Sequence, residues 1–242
     1  MLKLENISIS REQTKILDNV NLEFGTGVHF IMGPNGAGKS TLAHAIMGNP
    51  LYDTAGTVLH NNRDITDEPT HIRAQEGIFL SFQNPTPIQG LSNFQLIKNM
   101  IGPRADSTKS IATSLNAFRG LAKDFNLSHG WDKLDLNVHA SGGEKKKNEL
   151  IQMLMFDPSV AILDEPDSGL DIDSINLLIK TLKDFTKNNN KCLIVISHYE
   201  KLLTSLQPTT VSVVANNTAT QFTDTSVVKD ICTNGFKQYQ TQ

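Results

Sequence analysis

The feature that most constrains the fold is a glycine-rich segment between an apolar run and a helical pattern. Residues 33–40 read G-P-N-G-A-G-K-S, which fits G-x-x-x-x-G-K-[S/T] at every fixed position. Residues 28–32 predict a strand before it, and a helix is predicted from about Lys39. This order is typical of a phosphate site, because the glycines let backbone amides converge on phosphate oxygens at a helix N-terminus.

The loop predicts a run of contacts with a phosphorylated ligand. The candidate residues are Gly33, Pro34, Asn35, Gly36, Ala37, Gly38, Lys39, Ser40 and Thr41. We expect Lys39 to reach the β and γ phosphates and the Ser40 hydroxyl to bind Mg²⁺, a hard cation that takes oxygen ligands. The predicted ligand is therefore a nucleoside triphosphate with Mg²⁺.

Two more candidate residues follow a short apolar run. Residues 160–163 are all apolar, as in a buried parallel strand, and Asp164 and Glu165 come directly after them. Because ligands of open α/β sheets lie at the carboxyl ends of the strands, we expect Asp164 to hold Mg²⁺ and Glu165 to polarise the attacking water. Two such carboxylates are also typical of a solvent-facing cap. The phosphate loop in the same chain favours the catalytic interpretation.

Composition excludes several classes of protein. No run approaches the roughly 18 apolar residues of a membrane-spanning helix, so we expect no direct membrane insertion. The net charge of −3 provides no basic field that would hold nucleic acid. Cys192 and Cys232 form no C-x-x-C motif, and the N-terminal residues lack the pattern of a signal peptide, so the expected location is cytoplasmic.

Apolar patterning predicts an α/β fold with an antiparallel opening. Residues 3–9 and 16–24 alternate apolar and polar side chains and predict two paired strands. Their expected buried residues are Leu2, Leu4, Ile7, Ile9, Leu17, Val20, Leu22 and Phe24. Further strands are predicted at residues 57–60, 77–82, 191–197, 210–215 and 219–222. A helix between the strands at 160–163 and 191–197 completes a βαβ crossover, and its expected apolar face is Ile172, Ile175, Leu178, Ile179, Leu182 and Phe185.

Between these two halves the pattern changes to helical spacing. Helices are predicted at residues 107–115, 116–125 and 142–156, and a final helix from about Thr223. We therefore predict one domain over residues 1–242. Its catalytic core comprises residues 1–83 and 158–242, with a mostly parallel sheet and an antiparallel β subdomain, and residues 84–157 form an inserted helical subdomain.

Four further segments resemble motifs of the ABC ATPase family. They are Ser141-Gly142-Gly143-Glu144 for the signature motif, Ser168-Gly169-Leu170-Asp171 for the D-loop, His198 for the switch histidine and Gln83 for the Q-loop. All occur in the family's order, and together with the phosphate loop they cover nearly the whole chain. The resemblance implies a P-loop NTPase of the ABC ATPase type, which binds ATP with Mg²⁺ and hydrolyses the nucleotide.

The resemblance also implies a role for each matching residue. The implied catalytic residues are Glu165, His198 and Gln83, and the implied Mg²⁺ ligands are Ser40, Gln83 and Asp164. The implied contacts with a second copy's nucleotide are Ser141, Gly142, Gly143 and Asp171. A serine hydroxyl and glycine amides at the start of a helix form an anion site. The resemblance implies an ATP-dependent dimer in which two copies pair head to tail. In this dimer the anion would be the γ phosphate held by Lys39 of the other copy.

A narrower resemblance is to the SufC family of ABC ATPases, which serve iron–sulfur cluster assembly. Residues 141–149 read S-G-G-E-K-K-K-N-E and are similar to that family's S-G-G-E-K-K-R-N-E. The Q-loop run at residues 82–93 and the D-loop at residues 167–173 also look like this family. The resemblance implies a partner of the SufB or SufD scaffold type. We expect residues 82–93 to form a rigid surface loop with Ile88 and Leu91 as partner contacts.

Two other functions fit part of this evidence. The chain could be the nucleotide-binding subunit of a membrane ABC transporter, whose coupling surface would be the same Q-loop, but the signature helix favours the SufC interpretation. A regulatory protein that binds ATP without turnover would lack Glu165 or His198, and both are present. No aromatic residue stands near Ser10, where many ABC proteins stack one on the adenine base of the nucleotide. Arg11 could stack on the adenine there instead.

Overall fold

The computed structural model of the chain describes residues 1–101, 111–187 and 190–239. Its strands are β1 (Leu2–Arg11), β2 (Thr14–Phe24), β3 (Gly27–Met32), β4 (Asp53–His60), β5 (Arg63–Asp64), β6 (Ile78–Ser81), β7 (Ile88–Ser92), β8 (Asp135–Leu136), β9 (Val160–Asp164), β10 (Cys192–Ile196), β11 (Thr210–Ala215) and β12 (Thr218–Phe222). Its α-helices are α1 (Lys39–Ile46), α2 (Thr70–Gln75), α3 (Asn93–Ile101), α4 (Ile111–Asp124), α5 (Gly142–Phe156), α6 (Ile172–Thr186), α7 (Glu200–Leu206) and α8 (Ser226–Asn234).

A six-stranded, mostly parallel sheet carries the core. Its strand order is β12-β11-β3-β10-β9-β6; all neighbours are parallel except β11 and β12. Every residue of β9 and β10 is buried, as expected for strands covered on both faces. The predicted α/β class is confirmed, and the parallel pairing brings the carboxyl ends of β3, β9 and β10 to one edge.

The first two strands form the predicted antiparallel pair, within a sheet of order β2-β1-β4-β5. All eight residues expected to be buried are buried. Strict alternation would turn Ile7 away from Leu4, because these residues are three apart. The register shifts between them, and Asn6 adopts a positive φ of 53°, so this bulge returns Ile7 to the core face.

The two faces of the parallel sheet pack against different layers. On one face, Phe30 of β3 belongs to a buried apolar cluster with residues of α3 to α8. On the other face, Ile31 packs in a second cluster with β1, β2 and α1. Since successive side chains of a strand point to opposite faces, one strand positions the phosphate loop between both layers.

The helical segment differs from the prediction in its first helices. One helix, α4, replaces the two expected at residues 107–115 and 116–125, of which residues 107–110 lie outside the described part of the chain. Phe118, Ala122 and Phe125 are buried and Leu115 is half-buried. This spacing of three or four residues continues across the expected break, so one apolar stripe supports one helix.

Three other expectations are corrected by the structure. Residues 88–92 of the Q-loop run form strand β7, paired with β8, and residue 93 begins α3, so the run is not a loop throughout. The last helix begins at Ser226 and not near Thr223, because Asp224 accepts hydrogen bonds from the Ser226 amide and hydroxyl and forms a turn before it. Ile172 is 71% exposed and does not belong to the buried face of α6.

The reason for the Ile172 error is its position in the first turn. Asp171 caps α6 by accepting a hydrogen bond from the Ser174 amide at 2.7 Å, so Ile172 is the first helical residue. Ile175, Leu178, Ile179, Leu182 and Phe185 are all buried.

Over the described residues, no helix combines the length and the apolar character that a bilayer crossing needs.

Candidate active site

The site forms where three strands of the parallel sheet end side by side. Strand β3 leads into the phosphate loop, β9 ends at Asp164, and β10 is followed by Ser197 and His198. The register pairs Ile196 with both Ile31 and Asp164. Motifs that are more than 130 residues apart in the sequence therefore meet at one edge of the sheet.

Gly33 begins the loop at a point that admits no side chain. Its φ is +153°, and an added Cβ would lie 2.2 Å from the Val214 carbonyl oxygen of β11. Any other residue would push the loop away from the sheet. Gly38 precedes α1 with a φ of 101° in the left-handed region, which glycine adopts without a steric penalty.

The phosphate loop opens into a cleft of about 530 Å³. The cleft is lined by Ile16, Asn35, Gly36, Gly38, Lys39, Ser40, Thr41, Gln83 and Glu165. The structure thus brings six of the nine predicted loop residues together with the Q-loop glutamine and Glu165, which directly follows β9. A larger groove of about 820 Å³ lies beside α4 and Trp131, but none of the predicted nucleotide-binding residues line it.

Lys39 is nearly buried at the base of this cleft. Its ammonium donates hydrogen bonds to the carbonyl oxygens of Gly33 at 2.8 Å and Pro34 at 2.9 Å. Burial lowers the pKa of Lys39, although the charges of Glu165 and Asp164 oppose this shift. A partly desolvated cation at this point interacts more strongly with an anion than it would in water.

Asp164 provides a buried carboxylate next to Ser40. Burial raises the pKa of Asp164, while a hydrogen bond from the Ser40 side chain lowers it. Among the described residues its Oδ1 atom is buried and has no hydrogen-bond partner. Such an unsatisfied oxygen is costly unless another group completes it.

Glu165 is fixed in an unusual backbone conformation. Its φ of 47° lies in the left-handed region, which is uncommon for glutamate and is typical of functional sites. A hydrogen bond from the Glu165 amide to the Ile196 carbonyl at 2.9 Å holds the backbone there. Its Oε2 accepts a hydrogen bond from Gln83 at 2.8 Å, and its Oε1 lies 3.9 Å from the His198 Nε2.

His198 therefore stands next to the same carboxylate as Gln83. Burial lowers the pKa of His198, and the nearby Lys39 charge acts in the same direction. Both effects favour the neutral imidazole near pH 7, which can donate or accept a hydrogen bond. Gln83 and His198 thus flank the Glu165 carboxylate, Gln83 through a hydrogen bond to one oxygen and His198 at 3.9 Å from the other.

The signature and D-loop residues lie outside this cleft. Ser141 is exposed and begins α5 with a capping box, in which its hydroxyl and amide both donate to Glu144 and its oxygen accepts from the Glu144 amide. Asp171 is used to cap α6. Of the predicted nucleotide-binding residues, seven are not among those that line the cleft: Gly33, Pro34 and Ala37 of the loop, and Ser141, Gly142, Gly143 and Asp171.

Ile16 lines the phosphate-loop cleft although the sequence did not predict it there. Its side chain lines the wall, while the Asn217 side chain donates to its carbonyl oxygen at 3.0 Å. Arg11, considered for base stacking, pairs with Glu12 and is not among the lining residues. No local motif marks Ile16, because its position depends on the contact between β2 and the turn before β12.

Comparison with known proteins identifies the family. Residues 17–168 match the family model described as "ABC transporter". The chain belongs to this family. It is an ABC ATPase, and members of this class bind ATP or ADP.

Several relatives of this ABC ATPase match over most of the chain. It is 36% identical to the iron–sulfur cluster assembly protein SufC of Plasmodium falciparum over 242 residues, which is 98% of this chain and 69% of that protein. It is 33% identical to the probable ATP-dependent transporter ycf16 of Cyanophora paradoxa, covering 98% of this chain and 93% of that protein. It is also 37% identical to vegetative protein 296 of Bacillus subtilis, over 88% and 82% of the two chains.

Solved structures agree on the fold of the ABC ATPase. An ATP-binding subunit of an ABC transporter gives a TM-score of 0.80 at 20% identity, covering 96% of this chain and 93% of that one. A dimeric bacterial ABC transporter cassette, MJ0796, gives 0.78 at 20% identity, covering 92% and 98%. At these identities the likeness establishes the fold alone.

Proposed function

We propose that this chain is an Mg²⁺-dependent ATPase that drives conformational change in a SufB/SufD-type scaffold during iron–sulfur cluster assembly. The observation that carries the ATPase part is the position of Glu165 in the phosphate-loop cleft, between Gln83 and His198. In this proposal Glu165 polarises the attacking water, His198 contacts the γ phosphate and Gln83 orients both.

The donor set at the end of β9 fits Mg²⁺. The unpartnered Oδ1 of Asp164, the Ser40 hydroxyl and the Gln83 amide are hard oxygen groups, and Mg²⁺ takes few such protein ligands and keeps several waters. When bound, Mg²⁺ would neutralise charge on the β and γ phosphates. The protein's own contribution is Lys39 and the loop amides on the phosphate oxygens.

The proposed active form is a head-to-tail dimer of two copies. Ser141 and the amides of Gly142 and Gly143 lie at the start of a 15-residue helix, outside the copy's own cleft. Such an exposed helix N-terminus favours an anion. It would contact the γ phosphate held by Lys39 of the other copy, with Asp171 nearby. ATP would then join the copies, and hydrolysis would release them.

The proposed partner is a scaffold protein of the SufB or SufD type. Two observations support this partner: the similarity to a SufC protein over 98% of the chain, and the S-G-G-E-K-K-K-N-E segment. The second candidate function is the nucleotide-binding subunit of a membrane transporter, which is favoured by relatives with transporter names. Both functions would use the exposed Ile88 and the half-buried Leu91 of β7 as partner contacts.

Isolation of the native complex separates these two functions. We expect the chain in the soluble fraction with a SufB-like partner, and we expect the double substitution Ile88→Asp and Leu91→Asp to weaken this association without changing ATP affinity. Leu51→Asp, at an exposed apolar residue outside β7, is the matched control. Recovery only from detergent-solubilised membranes with a multi-span subunit would contradict the assembly function and favour the transporter.

A further inference from the structure

Helix α5 buries polar side chains behind the signature motif. Lys146, Asn148 and Glu149 are 6%, 0% and 6% exposed. Burying an amide or a charge is unfavourable unless hydrogen bonds replace the lost water. The partners of these three residues therefore indicate what the buried side of α5 is built to hold.

Two of the three residues bind the backbone of Phe82, directly before Gln83. Glu149 Oε1 accepts a hydrogen bond from the Phe82 amide at 2.8 Å, and the Lys146 ammonium donates to the Phe82 carbonyl at 2.9 Å. Lys146 and Glu149 also lie 3.9 Å apart as an ion pair. The donor and the acceptor of one Q-loop residue are thus both taken by α5.

The third residue reaches the other side of Gln83 through a buried amide network. Asn148 Nδ2 donates to Asn137 Oδ1 at 3.2 Å, and Asn137 Nδ2 donates to the Thr86 carbonyl at 3.3 Å. Asn148 also donates to Asn93 Oδ1 at 2.7 Å and accepts from the Trp131 ring nitrogen at 3.2 Å. Every polar atom of the Asn148 side chain has a partner, which keeps such a network rigid.

We propose that Lys146, Asn148 and Glu149, here called the Q-loop clamp, are positioning residues for Gln83 and link its position to the signature helix. They hold the backbone at Phe82 and, through Asn137, at Thr86, so Gln83 is fixed from both sides while its side chain meets Glu165. A shift of Gln83 on nucleotide binding would then move α5, whose first turn carries Ser141. This inference rests on the proposed ATPase function and adds the residues that connect its two halves.

The direction of these contacts distinguishes the clamp from ordinary helix packing. Apolar residues could anchor α5 at lower desolvation cost. Only polar groups, however, can fix the orientation of a loop backbone, because they bind its amide and carbonyl groups in set directions. The two Phe82 contacts and the Asn148–Asn137 link to Thr86 all end on the backbone of the five-residue segment 82–86 around Gln83. They form a contiguous physical connection of the kind that coupling requires.

Turnover of the full chain tests the positioning role. In Glu149→Leu the Phe82 amide loses its acceptor, so we expect kcat to fall roughly 10- to 100-fold with little change in the KM for ATP, as a small misplacement near the chemistry does. Glu149→Gln keeps an acceptor oxygen and should retain most of kcat. The matched control is Gln152→Leu, at a half-buried residue of the same helix. A Glu149→Leu variant with the kcat of this control would overturn the proposal.

Fluorescence of Trp131 provides a readout of the link. It is the single tryptophan of the sequence and donates to Asn148. In the Glu165→Gln variant, which should bind ATP without turnover, we expect ATP with Mg²⁺ to change its emission. With Glu149→Leu added, the change should disappear while a fluorescent ATP analogue still binds.

The same titration keeps the two proposals separable. An unchanged Trp131 emission on ATP binding to the Glu165→Gln variant would contradict the link, even if Glu149→Leu fails to fold. A wild-type chain without ATPase activity would instead contradict the proposed function, and the Trp131 titration would still decide whether the clamp responds to nucleotide.

Discussion

The phosphate loop and the signature helix bind their neighbours in opposite ways. The loop depends on backbone: Gly33 fits against the Val214 carbonyl where no side chain has room, and Lys39 binds carbonyl oxygens of its own loop. Helix α5 depends on side chains, because Lys146 and Glu149 are buried and reach a distant loop. A local motif therefore describes the first region, whereas the second exists only once distant segments have packed together.

The phosphate loop and helix α5 should also differ in how substitutions affect them. Changes at the phosphate loop should affect ATP turnover most. Changes at the buried side of α5 should affect stability and turnover together, since the same hydrogen bonds support the fold and position Gln83.

The largest effect is expected for Lys39→Ala. Removing one charge from a preorganised phosphate site costs about 3 kcal/mol of transition-state stabilisation, so turnover should fall a hundredfold or more. Steady-state phosphate release measures this loss, with the exposed Lys201→Ala as control. Equal rates in the two variants would contradict the phosphate-loop mechanism.

The next effect concerns the stability of the signature region. Asn148→Ala leaves the Trp131 ring nitrogen and the Asn93 amide oxygen without their buried partner, which should lower the free energy of unfolding by about 2–4 kcal/mol. Urea denaturation measures the difference. The exposed Asn116→Ala on α4 should change it by less than about 0.5 kcal/mol. Similar values for both variants would mean that the amide network does not stabilise the fold.

The ionisation of Glu149 predicts a pH dependence. Burial raises the pKa of Glu149 to about 7, against opposing effects of the Phe82 amide and Lys146, while Asp164 adds to the rise. The folded chain thus holds this proton more tightly than the unfolded chain, so its contribution is largest at low pH and is lost as pH rises through about 7. Between pH 5 and 8 the loss should be about 2 kcal/mol.

Comparison with Glu149→Gln isolates this effect, because glutamine does not titrate. The free energy of unfolding of the wild type should fall relative to that of the variant as the pH rises from 5 to 8. Parallel curves over this interval would show that Glu149 does not titrate there.

The smallest effect is expected at Ile172, which lies outside the buried face of α6. Ile172→Ala should change the free energy of unfolding by less than about 0.5 kcal/mol, whereas Ile175→Ala, three residues further and buried, should cost about 2–4 kcal/mol. Thermal or urea denaturation compares the two. A large loss at Ile172 would mean that this side chain is covered in the solution state.

Much of the fold follows from the sequence because its signals are local. The buried runs of β9 and β10 predict parallel strands, and Gly33 to Ser40 predict the phosphate loop from eight consecutive residues. The bulge at Asn6 and the exposed Ile172 show the limit of periodicity, which gives the residues of a face but not where the element bends or starts.

The Q-loop clamp could not be predicted in the same way. Nothing in the sequence near Asn148 or Glu149 shows which loop they bind, because their partners lie 11 to 67 residues away. The similarity to S-G-G-E-K-K-R-N-E includes these positions, but it does not indicate what their side chains bind. The division into residues 1–83 with 158–242 and residues 84–157, and the roles of the site residues, stay predictions.

The central claim is that the phosphate loop of one copy and the signature helix of another complete one ATP site. Sedimentation of the Glu165→Gln variant with ATP and Mg²⁺ tests it most directly. We expect a monomer without ATP, a dimer with ATP, and no dimer when Ser141→Arg is added, because the larger side chain blocks the contact across the interface. A Ser141→Arg variant that dimerises as well as its parent would contradict the claim.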